Sequence, residues 1–89
     1  MNARRYMVRG RVQGVGFRAF VQREADKLGV AGWVRNHGNG DVEVYAVGTA
    51  QQLADLAGRL WKGPRWAEVG DVDEMEAAVQ ECGGFHIRL

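Results

Sequence analysis

"GRVQGVGFR", Gly10 to Arg18, is the stretch on which the fold turns. An alternating run leads into it, two glycines one residue apart punctuate it, and an aromatic residue then opens a helical pattern. Upstream, Arg4 to Val12 places Tyr6, Val8, Gly10 and Val12 on one side and Arg5, Met7, Arg9 and Arg11 on the other. That is a strand with one buried and one solvated face, and its arginines read as solvent-facing charge. Downstream, Phe17, Phe20, Val21, Ala25 and Leu28 recur at helical spacing, with Gly29 as the stop. Arg18 therefore falls in the first turn of a helix, where free N–H groups and the helix dipole favour acids over bases. A cation is unfavourable there unless an anion joins it.

Val30–Asn36 ("VAGWVRN") reads as a second strand and Asp41–Val47 ("DVEVYAV") as a third. Between them Asn39-Gly40 is a hairpin signal, because both residues accept positive φ. A second helix opens at Thr49, where Gln52 completes a capping box. It carries Leu53, Leu56, Ala57, Leu60 and Trp61 on its apolar face and stops at Gly63-Pro64. Glu24 falls inside the apolar arc of the first helix and calls for a partner at a packing edge. Trp66–Val72 is a weaker strand, and Phe85–Leu89 a short terminal one. Glu74–Cys82 fits either a short helix or an irregular connection.

The order is βαββαβ plus a final strand. Two amphipathic helices bury their stripes only against one face of a sheet, which predicts a two-layer α/β (α+β) sandwich of the split-βαβ, ferredoxin-like kind. The sheet is expected to be antiparallel, with both helices on one face and residues 1–89 forming one domain.

Composition narrows the chemistry. The chain has 89 residues, a net charge of +1 and 26% charged residues, so it makes no global electrostatic claim on nucleic acid. No apolar run reaches membrane-spanning length and no signal-peptide pattern opens the chain, so a cytoplasmic setting without a membrane partner is expected. Cys82 is the single cysteine and there are two histidines, which leaves no internal disulfide and no metal-ligand pattern. Serine is absent and Thr49 is the only threonine. An enzyme built from this chain must use water, Cys82 or a carboxylate as nucleophile. Cys82 has no neighbouring base and reads as an inert thiol.

In a split βαβ unit the first two strands run parallel with the third between them, ~10 Å apart. Their C-terminal ends share one sheet edge, so Arg18 and Asn36 become neighbours across a gap that fits a tetrahedral anion and a water molecule. Gln13, Gly14, Val15, Gly16 and Phe17 form the loop, and Gly14 and Gly16 let its amides turn inward as an anion-binding nest. Arg18 can fold its planar fork over the same point. The loop is not a Walker A motif, since no Lys-Ser/Thr follows, nor a dinucleotide fingerprint, since the third glycine is missing. Pattern alone leaves a second reading open, in which Gln13–Phe17 is a tight connection and Arg18 a solvated charge.

At these residues the chain resembles the acylphosphatases. "GRVQGVGFR" looks like the family's first signature and "GWVRNHGNGDVEV" (Gly32–Val44) like its second. Gly63 to Val69 and the terminal "FHIR" match as well, so the resemblance covers essentially the whole chain. His37 departs from it, standing where a hydroxyl residue is frequent. The resemblance implies hydrolysis of the carboxyl–phosphate bond of acyl phosphates, with no cofactor, no metal and no covalent intermediate. By it Arg18 matches the phosphate-binding arginine, Asn36 the water-orienting asparagine, and Gln13–Phe17 the phosphate cradle. It implies a small-molecule substrate; a monomer is the default expectation. Similar domains occur inside larger maturation enzymes that handle carbamoyl phosphate; an end directly after the last strand favours a free-standing enzyme. The competing expectation is a non-catalytic ferredoxin-like module binding RNA or protein. Against RNA stand the near-neutral charge and the lack of the aromatic-rich strand signature.

Overall fold

A computed structural model describes residues 1–89. The elements are β1 (Asn2–Arg11), α1 (Phe17–Leu28), β2 (Ala31–Asn36), β3 (Val42–Gly48), α2 (Ala50–Lys62), β4 (Glu68–Ala77) and β5 (Phe85–Arg88). The sheet order is β4-β1-β3-β2-β5. β3 pairs antiparallel with both β1 and β2, so β1 and β2 run parallel on either side of it, as the split-βαβ reading requires.

The layers follow from where apolar side chains fall. Tyr6, Val8 and Val12 of the first strand segment meet Val21 and Ala25 of α1 and Leu56 of α2 in one core between sheet and helices. β3 is central and buried along its whole length. Its other face adds a small cluster of Ala3, Tyr45 and Val47 on the side away from the helices. Burial, and after it the charge of Glu74, pushes the Tyr6 phenol up to about 12. It stays a donor and bonds the Leu53 carbonyl at 3.0 Å, tying β1 to α2.

Local signals set most boundaries. Thr49 caps α2 by accepting from the Gln52 amide, while the Gln52 side chain accepts from the Thr49 amide. Gln52 also donates to the Leu28 carbonyl at 2.8 Å, joining the start of α2 to the end of α1. Glu24 has its expected partners, Arg59 of α2 at 2.8 Å and Lys27 at 3.3 Å.

Five expectations are corrected. Trp61 is 49% exposed, because it lies at the edge of the stripe in the last turn of α2. Gly10 is exposed at a β-bulge against β4, where a Cβ would fall 2.2 Å from the Glu68 carbonyl oxygen. The β2–β3 connection uses Gly40 alone at positive φ, and Asn39 instead accepts from the Asp41 amide at 3.0 Å. β4 runs on to Ala77, so Glu74–Ala77 is strand and only the rest of the ambiguous segment is irregular. The extra length pairs with the start of β1, where Arg4 reaches Glu74 at 3.6 Å.

The fifth correction concerns the sheet itself, which is mixed, because β5 pairs with β2 in parallel. From the end of β4 the chain must cross to the opposite edge, ~19 Å away over four strand spacings. It crosses at the end of the sheet where β1 and β2 begin. Tyr45 pins the crossing there, donating to the Ala78 carbonyl at 2.6 Å and accepting from the Gln80 amide at 2.8 Å. A segment that moves only sideways enters β5 in the direction of β2.

Burial alone would raise the carboxyl of Glu24, but hydrogen bonds and charge from Lys27 and Arg59 outweigh it and hold it below its ordinary value. Such a group contributes fully above the unfolded-state pKa, about 4.3, and its contribution is lost as pH falls through the lower folded value. The stability gap between wild type and Glu24→Gln, measured by urea denaturation, is expected to be widest near pH 7 and to shrink towards pH 3. A gap that stays constant over that range would show that the ion pair is not its source.

Candidate active site

The site forms where β1 and β2 end. Val12, 1% exposed, anchors the last turn of the β1 segment in the core. The chain then reverses through Gly14 at φ +73° and Gly16 at φ +75°, both left-handed, and enters α1 at Phe17. Nothing lies within 4 Å of where a Cβ would stand on either glycine, so both border open space. Phe17 is buried and draws the start of the helix into the core.

This helix start is electrostatically bare. Gly16 offers no side-chain cap and the first turn carries no acid. The first backbone bond runs from the Phe20 amide to the Gly16 carbonyl at 3.0 Å, so the amides of Phe17, Arg18 and Ala19 precede the helical ladder. Arg18 is half-buried, and its Nη1 donates to the Arg88 carbonyl at 3.2 Å, which draws the guanidinium towards the end of β5.

From the other side, Asn36 is the last residue of β2. Its Oδ1 is buried and has no hydrogen-bond partner within the protein. Buried polar atoms are nearly always paired, so this lone acceptor stands out, and Asn36 is among the residues that line the hollow. Gln13 fixes the distance between the two halves. Its Nε2 donates to the carbonyls of His37 at 2.7 Å and Asp41 at 2.9 Å, strapping the glycine loop to the β2–β3 connection.

The hollow measures about 230 Å³ and is lined by Gln13, Gly14, Gly16, Phe17, Arg18 and Asn36, together with Val12, Ala19 and Ile87. Arg18 and Asn36, eighteen residues apart, face one space. Of the loop residues expected there, Val15 differs: it is half-buried against the core and does not line the hollow. Ile87 and Ala19 were not anticipated. Ala19 could have been found from its place one residue after Arg18, whereas Ile87 enters only because β5 lies beside β2.

On the opposite face of the sheet sits a second group of charges. Glu43 is buried and takes Arg35 and His37 on Oε1 at 2.9 and 2.6 Å and Arg5 on Oε2 at 3.0 Å. Burial alone would raise its carboxyl, but hydrogen bonds from His37 and Arg35 and their charge hold it below its ordinary value. Nothing in the sequence pattern separated Glu43 from its neighbours. Cys82 is half-buried against the Ala3–Tyr45–Val47 cluster, and His86 is exposed with its ring at the Gly83 carbonyl.

Known proteins resemble this chain along most of its length. The family model described as Acylphosphatase matches residues 4–87. An acylphosphatase of Solibacter usitatus is 55% identical over 97% of this chain and 90% of its own length. One from Pasteurella multocida is 50% identical over 99% of both chains. The crystal structure of acylphosphatase from Bacillus subtilis superposes with a TM-score of 0.97 at 40% identity, over 100% of both chains. Full-length HypF in its phosphate- and nucleotide-bound form matches 98% of this chain with 12% of its own, at 27% identity and a TM-score of 0.87. With the family model matched over residues 4–87 and a relative 55% identical over most of both lengths, the chain belongs to the acylphosphatase family.

Proposed function

We propose that this chain hydrolyses acyl phosphates to a carboxylate and inorganic phosphate, by in-line attack of a water molecule on a phosphoryl group held in the hollow. The observation that carries the reading is the convergence of Arg18 and the unpartnered Asn36 carboxamide on one space. Arg18 and the amides ahead of the α1 ladder supply fixed positive potential for three phosphoryl oxygens as charge spreads over them. The Asn36 carboxamide holds the attacking water by a hydrogen bond and turns a lone pair of that water towards phosphorus. The phosphorus–oxygen bond to the acyl group breaks, its electron pair leaves with the carboxylate, and the water's protons pass to phosphate and solvent.

The leaving group explains why so small a site suffices. A carboxylate is a weak base, with a conjugate acid near pH 4. It departs without a proton donor, and the hollow offers neither an acid nor a histidine. The nucleophile is water. The reading assigns no cofactor, no metal and no nucleic acid, and a monomer working in the cytoplasm. No helix is long and apolar enough to cross a membrane. The binding-module alternative finds little purchase on the open sheet face. Trp33 there is stacked on Tyr45 at 5.8 Å and has the guanidiniums of Arg35 and Arg88 against its ring, so part of its surface is already occupied by the protein's own groups.

Kinetics on benzoyl phosphate, set against a phosphomonoester, test the assignment. Asn36→Ala is expected to lower kcat by about 10²–10³ with KM little changed, the usual cost of losing one oriented group. Arg18→Ala is expected to cost more and to raise KM as well, and wild-type activity is expected to persist in chelator. Equal turnover of the phosphomonoester, or full activity in folded Arg18→Ala, overturns the reading.

The loop has its own test. Gly16→Ala places a side chain at φ +75° and towards the hollow, so about 1 kcal/mol of stability should be lost. Inorganic phosphate should inhibit the variant less strongly than wild type. Undiminished phosphate inhibition would remove the glycine turn from the binding role.

A further inference from the structure

We propose that Glu43, on the face of the sheet opposite the hollow, is a positioning residue that aims the Asn36 carboxamide. The inference rests on the reading that Asn36 orients the attacking water. Along β2 successive side chains alternate between faces. Asn36 points to the hollow, and its two neighbours, Arg35 and His37, point to the open face. Both neighbours end on the same oxygen, Glu43 Oε1, at 2.9 and 2.6 Å. One carboxylate therefore grips the chain immediately before and immediately after Asn36.

The grip is completed from two further directions. Arg35 lies directly across the ladder from Glu43, and Asn36 directly across from Val42, so the backbone itself is in register with the carboxylate's strand. Gln13 holds the His37 carbonyl at 2.7 Å from the hollow's side, so His37 is fixed by its ring on one face and by its backbone on the other. Asn36 is also the last residue of β2, with a five-residue connection after it. A strand end next to a loop is where orientation is most easily lost. Since no protein group holds the Asn36 oxygen, its direction depends on the backbone that carries it.

Energetics explain why a charge sits there. Glu43 is the one buried polar or charged residue, 5% exposed on the central strand. Removing a carboxylate from water is costly, and a buried ion pair is commonly no more stabilising than an apolar pair of similar volume. Tyr45 and Val47 on the same strand face show that apolar packing is available at this level. What an apolar pair cannot do is hold two arms at one point with hydrogen-bond geometry.

The experiment compares wild type, Glu43→Gln, Asn36→Ala and the double variant, with kcat and KM for benzoyl phosphate and a thermal unfolding curve for each. Gln keeps the shape of the side chain but loses the charge and one of the two acceptor oxygens. The expected result is a kcat lowered about 10-fold in Glu43→Gln with KM within about 2-fold, since small misplacements of an oriented group carry losses up to about 10². In the Asn36→Ala background the same substitution should change kcat less than about 2-fold, because the group it aims is gone. Equal losses in both backgrounds, or no loss in either, overturn the positioning role while leaving Asn36's own role standing. An undiminished kcat in Asn36→Ala alone overturns the water-orienting role, and the role of Glu43 with it. If Glu43→Gln does not fold, His37→Ala removes a single, half-exposed arm. It should lower kcat several-fold, again only when Asn36 is present, and His37→Gln, which restores a donor, should recover the loss. Failure of that rescue, or a His37→Ala loss that persists without Asn36, counts against the proposal.

Discussion

The site depends on β3 being inserted between two parallel strands. Had β1 and β2 paired directly, their C-terminal ends would lie ~5 Å apart, too close for a phosphoryl group and a water between them. With β3 between them the distance doubles, and because β3 runs the other way it ends at the far edge of the sheet and leaves the gap open. Everything that makes the hollow sits on this spacing. The glycine turn feeds α1 from one side, Asn36 closes β2 on the other, and Gln13 bridges the two with a pair of hydrogen bonds. The gap is thus a consequence of connectivity, and the side chains tune what it accepts.

This is why the two halves of the site were legible from the sequence while its third wall was not. Strand alternation in Arg4–Val12, helical spacing from Phe17 to Leu28 and the capping box at Thr49 are local signals, each decided within a few residues, and they hold in the structure apart from the bulge at Gly10. From them the topology follows, and with it the meeting of Arg18 and Asn36. β5 gave no such signal, because a four-residue strand carries too little pattern to show which neighbour it joins or in which direction. Its direction is set by the crossing segment that Tyr45 pins, and the two hydrogen bonds responsible join residues 33 and 35 positions apart. The same distance in sequence hid the extension of β4. "EMEAAVQEC" has the composition of a helix, but its first residues lie opposite Arg4 and Arg5 of β1, and pairing with a long, charge-complementary strand overrides local preference.

The cation at the start of α1 makes physical sense only in this setting. Four features of a helix start that normally offset its positive potential are missing here: a capping side chain, an acid in the first turn, partners for the first amides, and solvent on all sides. Arg18 adds to the imbalance, and one carbonyl, that of Arg88, takes part of its donor capacity. A site that stores unsatisfied positive potential in rigid elements needs little rearrangement when a dianion arrives, and preorganisation of that kind is the main source of electrostatic catalysis.

The charges of the open face follow the opposite logic. Arg5, Arg35 and His37 share one carboxylate, and Arg9 lies within 3.5 Å of Asp41, Asp71 and Asp73. There cations find acids, whereas at the hollow a cation is left without one. A nearly neutral chain can therefore still hold a local excess of positive potential, because Arg5, Arg9, Arg35 and His37 have carboxylate partners and Arg18 has none. The two faces meet at β2. Its last two positions and the residue that follows run Arg35 to the open face, Asn36 to the hollow and His37 to the open face again, so the alternation of one extended stretch joins the compensated charges to the uncompensated ones. Shifting that strand by one residue would exchange the faces and dissolve both arrangements at once, which makes the register of β2 against β3 the constraint on which chemistry and packing jointly depend.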